Sequence, residues 1–117
     1  MKAFGLMVGI LFATSTSFAA AAYRCQITKS DLGTAETVTL IEDCKDGLTM
    51  KITGAGETLV SKEVKYDWRH SDENVKLFKS ADRKTLVYVQ KHNVGLTAEV
   101  HDVNYMIRTN YCQQIAW

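Results

Sequence analysis

The sequence predicts an all-β fold: an antiparallel meander of roughly seven to eight short strands forming a small barrel or two-layer sandwich, preceded by a signal peptide. Three observations carry this. Short runs alternate apolar and polar residues, the period of a strand with one face buried. Turn clusters separate the runs at the spacing of about 8–12 residues expected of a sandwich or barrel. No segment sustains a helical repeat, and the chain contains no proline.

The chain begins MKAFGLMVGILFATSTSFAAAA. Lys2 is a short basic start, Phe4 to Ala13 is apolar, and A-x-A sites follow between Ala19 and Ala22. This pattern predicts a signal peptide over residues 1–22 and places the product in the periplasm or outside the cell. The apolar run is shorter than the about 20 residues a spanning helix needs, so no membrane span is expected after cleavage. Cys25 follows Ala22-Tyr23-Arg24, which is not a lipobox. Residues 23–117 then form a single small β domain. A domain this short buries only about 60–65% of its unfolded surface, and a cystine is the natural reinforcement in an oxidising compartment.

The chain has 14 basic and 13 acidic residues, and one of the basic ones is Lys2 in the signal. A near-neutral mature domain argues against nucleic acid, which demands a basic footprint, and against a polybasic membrane surface.

The elements follow in order. Tyr23, Cys25 and Ile27 alternate in a first strand, and Ser30 to Thr34 form a turn cluster. Glu36 to Thr53 is a hairpin around Lys45-Asp46-Gly47. A two-residue loop there turns Val38 and Leu40 outward and buries two charges. A three-residue loop with Gly47 at positive φ pairs Cys44 with Leu48, and gathers Val38, Leu40, Cys44, Leu48, Met50 and Ile52 on one face. The hydrophobic pattern selects the second register. Glu42 then points inward, either near an open end or in a salt bridge. Ile41 points outward, and Cys44 faces the core at its rim. Gly54-Ala55-Gly56 turns the chain into a long strand, Glu57 to Trp68, in which Lys62 interrupts the apolar phase and marks a bulge or an edge. Val75 to Lys79 is short. Thr85 to Lys91 is apolar on both faces and reads as the most central strand. Leu96, Ala98 and Val100 alternate in the next. Tyr105, Ile107, Thr109 and Tyr111 share one phase in the last, which runs on toward Trp117. An aromatic C-terminal residue on such a strand is similar to the ending of outer-membrane barrels, but spanning strands need about 9–11 residues and most runs here are shorter.

The three cysteines allow at most one internal bridge. With a turn near Leu32-Gly33, Cys25 lies opposite about residue 40, too far from Cys44 for a disulfide. A bridge from Cys112 to Cys25 or to Cys44 would tie the last strand to the first ones, with Cys25–Cys112 preferred and Cys44 left as the alternative partner or a free thiol. Closing a loop that long contributes about 4–5 kcal/mol in the chain-entropy view.

No sequence motif for catalysis is present: no G-x-S-x-G, no phosphate-binding glycine loop, no H-E-x-x-H and no Cys-x-x-Cys. His70, His92 and His101 fall in or beside turns and match no metal-ligand spacing. Glu63 and Asp67 are a conceivable carboxylate pair for glycoside hydrolysis, in a domain with little room for such a cleft. No cofactor or metal is implied. The most suggestive surface cluster is Tyr66, Trp68, Arg69 and His70, residue types that anchor partners, although Tyr66 and Trp68 also fit the core face of their strand.

The Tyr23-Arg24-Cys25 start, the late Cys112 and the meander together resemble bacterial periplasmic inhibitors of lysozyme. The short Ser-Gly and Tyr inhibitory motif of that family is not present as such, so no site residue follows from the resemblance. It implies inhibition of a cell-wall hydrolase. The residues themselves favour an exported, non-enzymatic β-domain that binds a protein or small apolar ligand in the cell envelope. A small exported enzyme is the third expectation.

Overall fold

The structure is a computed structural model that describes residues 21–43 and 46–115. The expectations for Cys44, for Trp117 and for most of the signal peptide lie outside the described residues. The first strand begins at Ala22, one residue before the expected mature start, and the Ala21 carbonyl accepts a hydrogen bond from Glu42 N–H at 2.8 Å.

The described residues form eight antiparallel strands in a closed barrel, each paired with its neighbours in sequence and the last paired with the first. They are β1 (Ala22–Ser30), β2 (Thr37–Glu42), β3 (Gly47–Gly54), β4 (Glu57–Tyr66), β5 (Val75–Ser80), β6 (Thr85–His92), β7 (Gly95–Asp102) and β8 (Met106–Ile115). Inward residues of successive strands fill the interior: Cys25, Val38, Leu40, Leu48, Met50, Ile52, Val64, Phe78, Val87, Val100 and Ile107 are all buried in one core. An eight-stranded barrel is just wide enough for its own side chains or for one small ligand.

The hairpin of β2 and β3 keeps its expected faces but not its expected pairing. Leu48 pairs with Glu42, not with Cys44, and Leu40 pairs with Met50. A shift of two residues preserves the side-chain phase, which is why Val38, Leu40, Met50 and Ile52 are buried as expected. The residue at positive φ is Asp46, at 60°, and Gly47 opens β3 instead. The Asp43 carboxylate accepts Gly47 N–H at 3.1 Å, and a Cβ at Gly47 would stand 2.9 Å from that carboxylate. The side-chain bond closes the turn earlier than a bulge at glycine would. Glu42 is exposed at the barrel rim, and Ile41 is buried although it lies on the outer face between Ala22 and Thr49.

The first hairpin turns about one residue earlier than expected, so Cys25 lies opposite Val38 instead of residue 40. On its other side Cys25 pairs directly with Cys112 of β8, and the two are joined by a disulfide with Cα atoms 4.0 Å apart. The preferred cysteine pair therefore closes the barrel seam. The phase expected of β8 is corrected. Tyr105 and Ile107 face inward, yet Cys112 also packs against the core and Tyr111 is exposed. An odd number of residues separates two inward positions because the pairing shifts between Cys25–Cys112 and Ile27–Thr109, which inserts one extra residue into β8 at Asn110-Tyr111. Local bonds stabilise the bulge: Asn110 Oδ1 accepts Tyr111 N–H at 2.9 Å, and Thr109 Oγ1 accepts Ala98 N–H at 2.9 Å.

The strand expected over Glu57 to Trp68 ends at Tyr66. A 3₁₀ turn, Trp68–His70, follows because Asp67 caps it, its carboxylate accepting Arg69 N–H at 3.1 Å. The loop after Tyr66 then completes β5. Asp67 N–H donates to the Leu77 carbonyl at 2.8 Å, and Leu77 N–H to Ser71 Oγ at 2.9 Å. At its other end β5 stops at Ser80, opposite Val64, so β4 pairs with β5 only from Val64 to Tyr66, and from Glu57 to Glu63 it pairs with β3 on one side and with no strand on the other among the described residues.

Two outcomes test the seam. Cys25→Ser is expected to lower unfolding stability by about 4–5 kcal/mol, read from the urea midpoint. Deleting Asn110 removes the extra residue and turns Cys112 outward; Cys112 should then react with a thiol reagent in the native protein, and Cys25 only on unfolding.

Candidate functional site

The two ends of the barrel differ in chemistry. The end bearing the β5–β6 and β7–β8 turns is sealed by polar groups. Lys62, on the inward phase of β4, sends its amine across the place where β4 lacks a partner. It donates to Thr85 Oγ1 at 2.9 Å and lies 3.5 Å from the Asp102 carboxylate and 3.9 Å from that of Asp82. Thr85 is fully buried, and its hydroxyl donates to Asp102 at 2.5 Å. Ser80 Oγ accepts Thr85 N–H at 3.1 Å and donates to Asp82 at 2.6 Å. Burial opposes ionisation of Asp102, but the Thr85 hydroxyl, Asn104 N–H and Lys62 together hold its carboxyl below the ordinary range. The Ser80 hydroxyl and Lys84 N–H do the same for Asp82. Tyr105, buried beside them, has its phenol pushed up to about 12 by burial and by the Asp102 charge. Thr85, at the centre of these groups, is fully buried. These groups act as a polar plug.

The opposite end is open. A cavity of about 240 Å³ enters the barrel there, with Leu40, Leu48, Phe78, Val89 and Leu96 as apolar walls. Lys76 and Lys91, with Glu42 and Glu73, bring two charges of each sign to its rim. Tyr23 stands at one side, its phenol raised by burial and by the Glu42 charge.

Of the expected cluster, Tyr66, Arg69 and His70 line one outer groove, and Trp68 stands exposed outside it. Tyr66 is half-buried and tilts onto Phe78, with ring centroids 5.6 Å apart and Lys76 Nζ 5.9 Å from its own centroid. Trp68 is 68% exposed, with the Arg69 guanidinium 5.4 Å from its ring. His70 turns back onto Asp67 at 2.8 Å, and Lys79 bonds the same carboxylate oxygen at 2.8 Å. Lys79, then His70, hold the Asp67 carboxyl well below the usual carboxylate range. Trp68 thus leaves the core phase while Tyr66 keeps it, because the Asp67 cap bends the chain between them.

The other histidines are engaged locally. His92 is hydrogen-bonded to Thr97 Oγ1 and meets Tyr111 edge-on at 5.5 Å. His101 is hydrogen-bonded to Glu99 at 2.9 Å. Among the described residues no three metal-ligating side chains converge, and no helix is long and apolar enough to cross a membrane.

No family model, curated protein or solved structure matches the chain. Sequence reasoning missed the mouth cavity, whose lining comes from six strands and one loop. The available signal was Glu42, an acid on an inward phase at a strand end.

The plug sets a pH dependence. Unfolded aspartates titrate near 3.9, and those of Asp67, Asp82 and Asp102 lie lower in the folded chain. Their stabilisation is therefore complete above the unfolded value and is lost as pH falls through the folded ones. The melting temperature should fall below about pH 4. Lys62→Met leaves the Asp102 charge without its cation, and urea unfolding should show a loss of about 2–3 kcal/mol, less than for a fully buried pair because Lys62 is partly exposed. Adding Asp102→Asn should recover part of that loss.

Proposed function

We propose that this chain is an exported, non-enzymatic β-barrel that holds a small amphipathic ligand in its open mouth. One observation carries the reading: the barrel is plugged by ions at one end and apolar at the other. Apolar walls with a few charged groups at the rim are the usual chemistry of a small-molecule site. Leu40, Leu48, Phe78, Val89 and Leu96 receive the apolar body. Lys76 and Lys91 face an anionic head, and Glu42 and Glu73 a cationic one.

The volume limits the ligand. At about 30 Å³ per water-sized group, the cavity takes roughly eight heavy atoms, and the rest projects into solvent. At roughly 0.5–1 kcal/mol per buried atom, the affinity falls between about 1 mM and 1 μM. This suits a ligand that is carried and released rather than retained. The Cys25–Cys112 bridge supports an oxidising compartment, as export requires.

Calorimetric titration of the oxidised protein with octanoate and with octylammonium tests the site and separates the two head charges. Leu96→Trp fills the cavity from the β7 wall and should weaken binding at least about tenfold while melting stays cooperative. Undiminished affinity in that variant, or no binding of either amphiphile, would sink the mouth as a ligand site.

A further inference from the structure

The second opening in the barrel wall lies where β4 parts from β5. From Glu57 to Glu63, one backbone edge of β4 pairs with no strand among the described residues. Over the parting point the outer surface forms a groove of about 540 Å³, lined by Glu63, Lys65, Asp67, Arg69, Lys79 and Arg83. Cations dominate it. Lys65 and Lys79 stand directly opposite each other in the short β4–β5 ladder, an unfavourable like-charge pairing. Asp67 is taken up by Lys79 and His70, each at 2.8 Å. Lys65, Arg69 and Arg83 form no ion pair among the described residues.

Arg83 adds an independent sign. Its φ is 62°, in the left-handed region where glycine or asparagine carries less strain. A strained, long, charged residue in a tight turn spends stability on the position of its side chain, and such strain gathers at binding sites.

We propose that this groove docks an extended acidic segment of a partner protein. The segment lies across the parting point, with one end completing the β4 edge beside Glu63 and its carboxylates set against Lys65, Arg69 and Arg83. Edge addition supplies main-chain bonds, and alternate side chains supply selectivity. The outward Glu63 marks a place where the segment carries no acid. The Thr58-Leu59 end, where the β3–β4 pairing shifts, bends the edge and limits the added strand to a few residues. The occupant is separate from the mouth ligand, since neither Lys65 nor Arg83 lines the mouth cavity.

The probe is a fluorescent peptide of about twelve residues alternating Glu with Val or Thr, followed by anisotropy with the oxidised protein. Binding is expected to weaken at least about tenfold between low and high salt. It should weaken as much when alternate backbone amides are N-methylated, which an edge-adding strand cannot tolerate and a merely anionic ligand can. Lys65→Glu with Arg83→Glu should abolish it. Arg83→Gly is the second variant: relieving the backbone should hold or raise the melting temperature while binding still drops. The proposal is overturned if Arg83→Gly and the double reversal bind the peptide like the parent, or if a Lys-Val peptide binds equally well. Displacement of the peptide by millimolar inorganic phosphate would also overturn it, as would binding of phosphatidylglycerol vesicles with the peptide ignored.

Discussion

The constraint on which this barrel depends is the closure of β8 onto β1. A sheet of eight strands becomes a barrel only if its last strand presents the right face to its first. Cys25 is inward because the Tyr23-Cys25-Ile27 phase is inward. Cys112 is inward only because one extra residue at Asn110-Tyr111 reverses the phase set by Tyr105 and Ile107. Without the bulge, the two sulfurs would lie on opposite faces of the seam. The disulfide then reinforces a register that the bulge has already chosen, and it does so across almost the whole chain, with a sequence separation of 87. In a domain too short to bury a large core, the unfolded-state restriction from such a long loop is a substantial share of the net stability.

The closure leaves one flaw in the wall, and its handling explains the asymmetry of the two ends. β5 ends at Ser80, opposite Val64, and the chain turns back into β6, so the first half of β4 runs on without it. Lys62 occupies the resulting gap. Its amine joins Thr85, Asp82 and Asp102 where a strand ladder would otherwise have satisfied the backbone. An ammonium brought this far inward requires anions, and Asp102, almost fully buried, is held ionised by hydroxyl and amide donors as well as by Lys62. The consequence is a polar floor below the core. The other end has no comparable set of paired charges inside it. Leu40, Leu48, Val89 and Leu96 surround open space instead, and the charges stand at the rim.

Much of this was legible in the residues. Two-residue periodicity is robust to register error, so the core faces of β2 and β3 survive a hairpin slipped by two. The pairing itself was not legible, because it turns on the Asp43 carboxylate bonding to Gly47 N–H, and the sequence pattern Asp-Gly points equally to a bulge at the glycine. The Cys25–Cys112 pair followed from strand order. The face of Tyr111 did not, since a bulge is a single-residue event with no periodic signature. Lys62 announced an edge by breaking an apolar phase, but its partners lie at positions 82, 85 and 102, and only topology brings them together. The Tyr66 to His70 stretch looked continuous in sequence. A capping bond from Asp67, one residue after Tyr66, divides it into an inward ring and an outward loop.

That division also decides how the mouth and the outer groove are related. They lie on opposite faces of the wall and share no charged residue. They are linked through Tyr66 beside the groove, which packs on Phe78 of the mouth and lies under Lys76 of its rim. The two rings are in contact, so displacing Tyr66 bears on Phe78. An occupant of the groove that presses on Tyr66 therefore acts on the wall of the mouth, and by linkage a mouth ligand acts equally on the groove. Lys65 and Arg83 give no such route, because neither lines the mouth. Coupling between the two sites runs instead through Tyr66, with Phe78 and Lys76 against it, at the point where β4 and β5 still hold together.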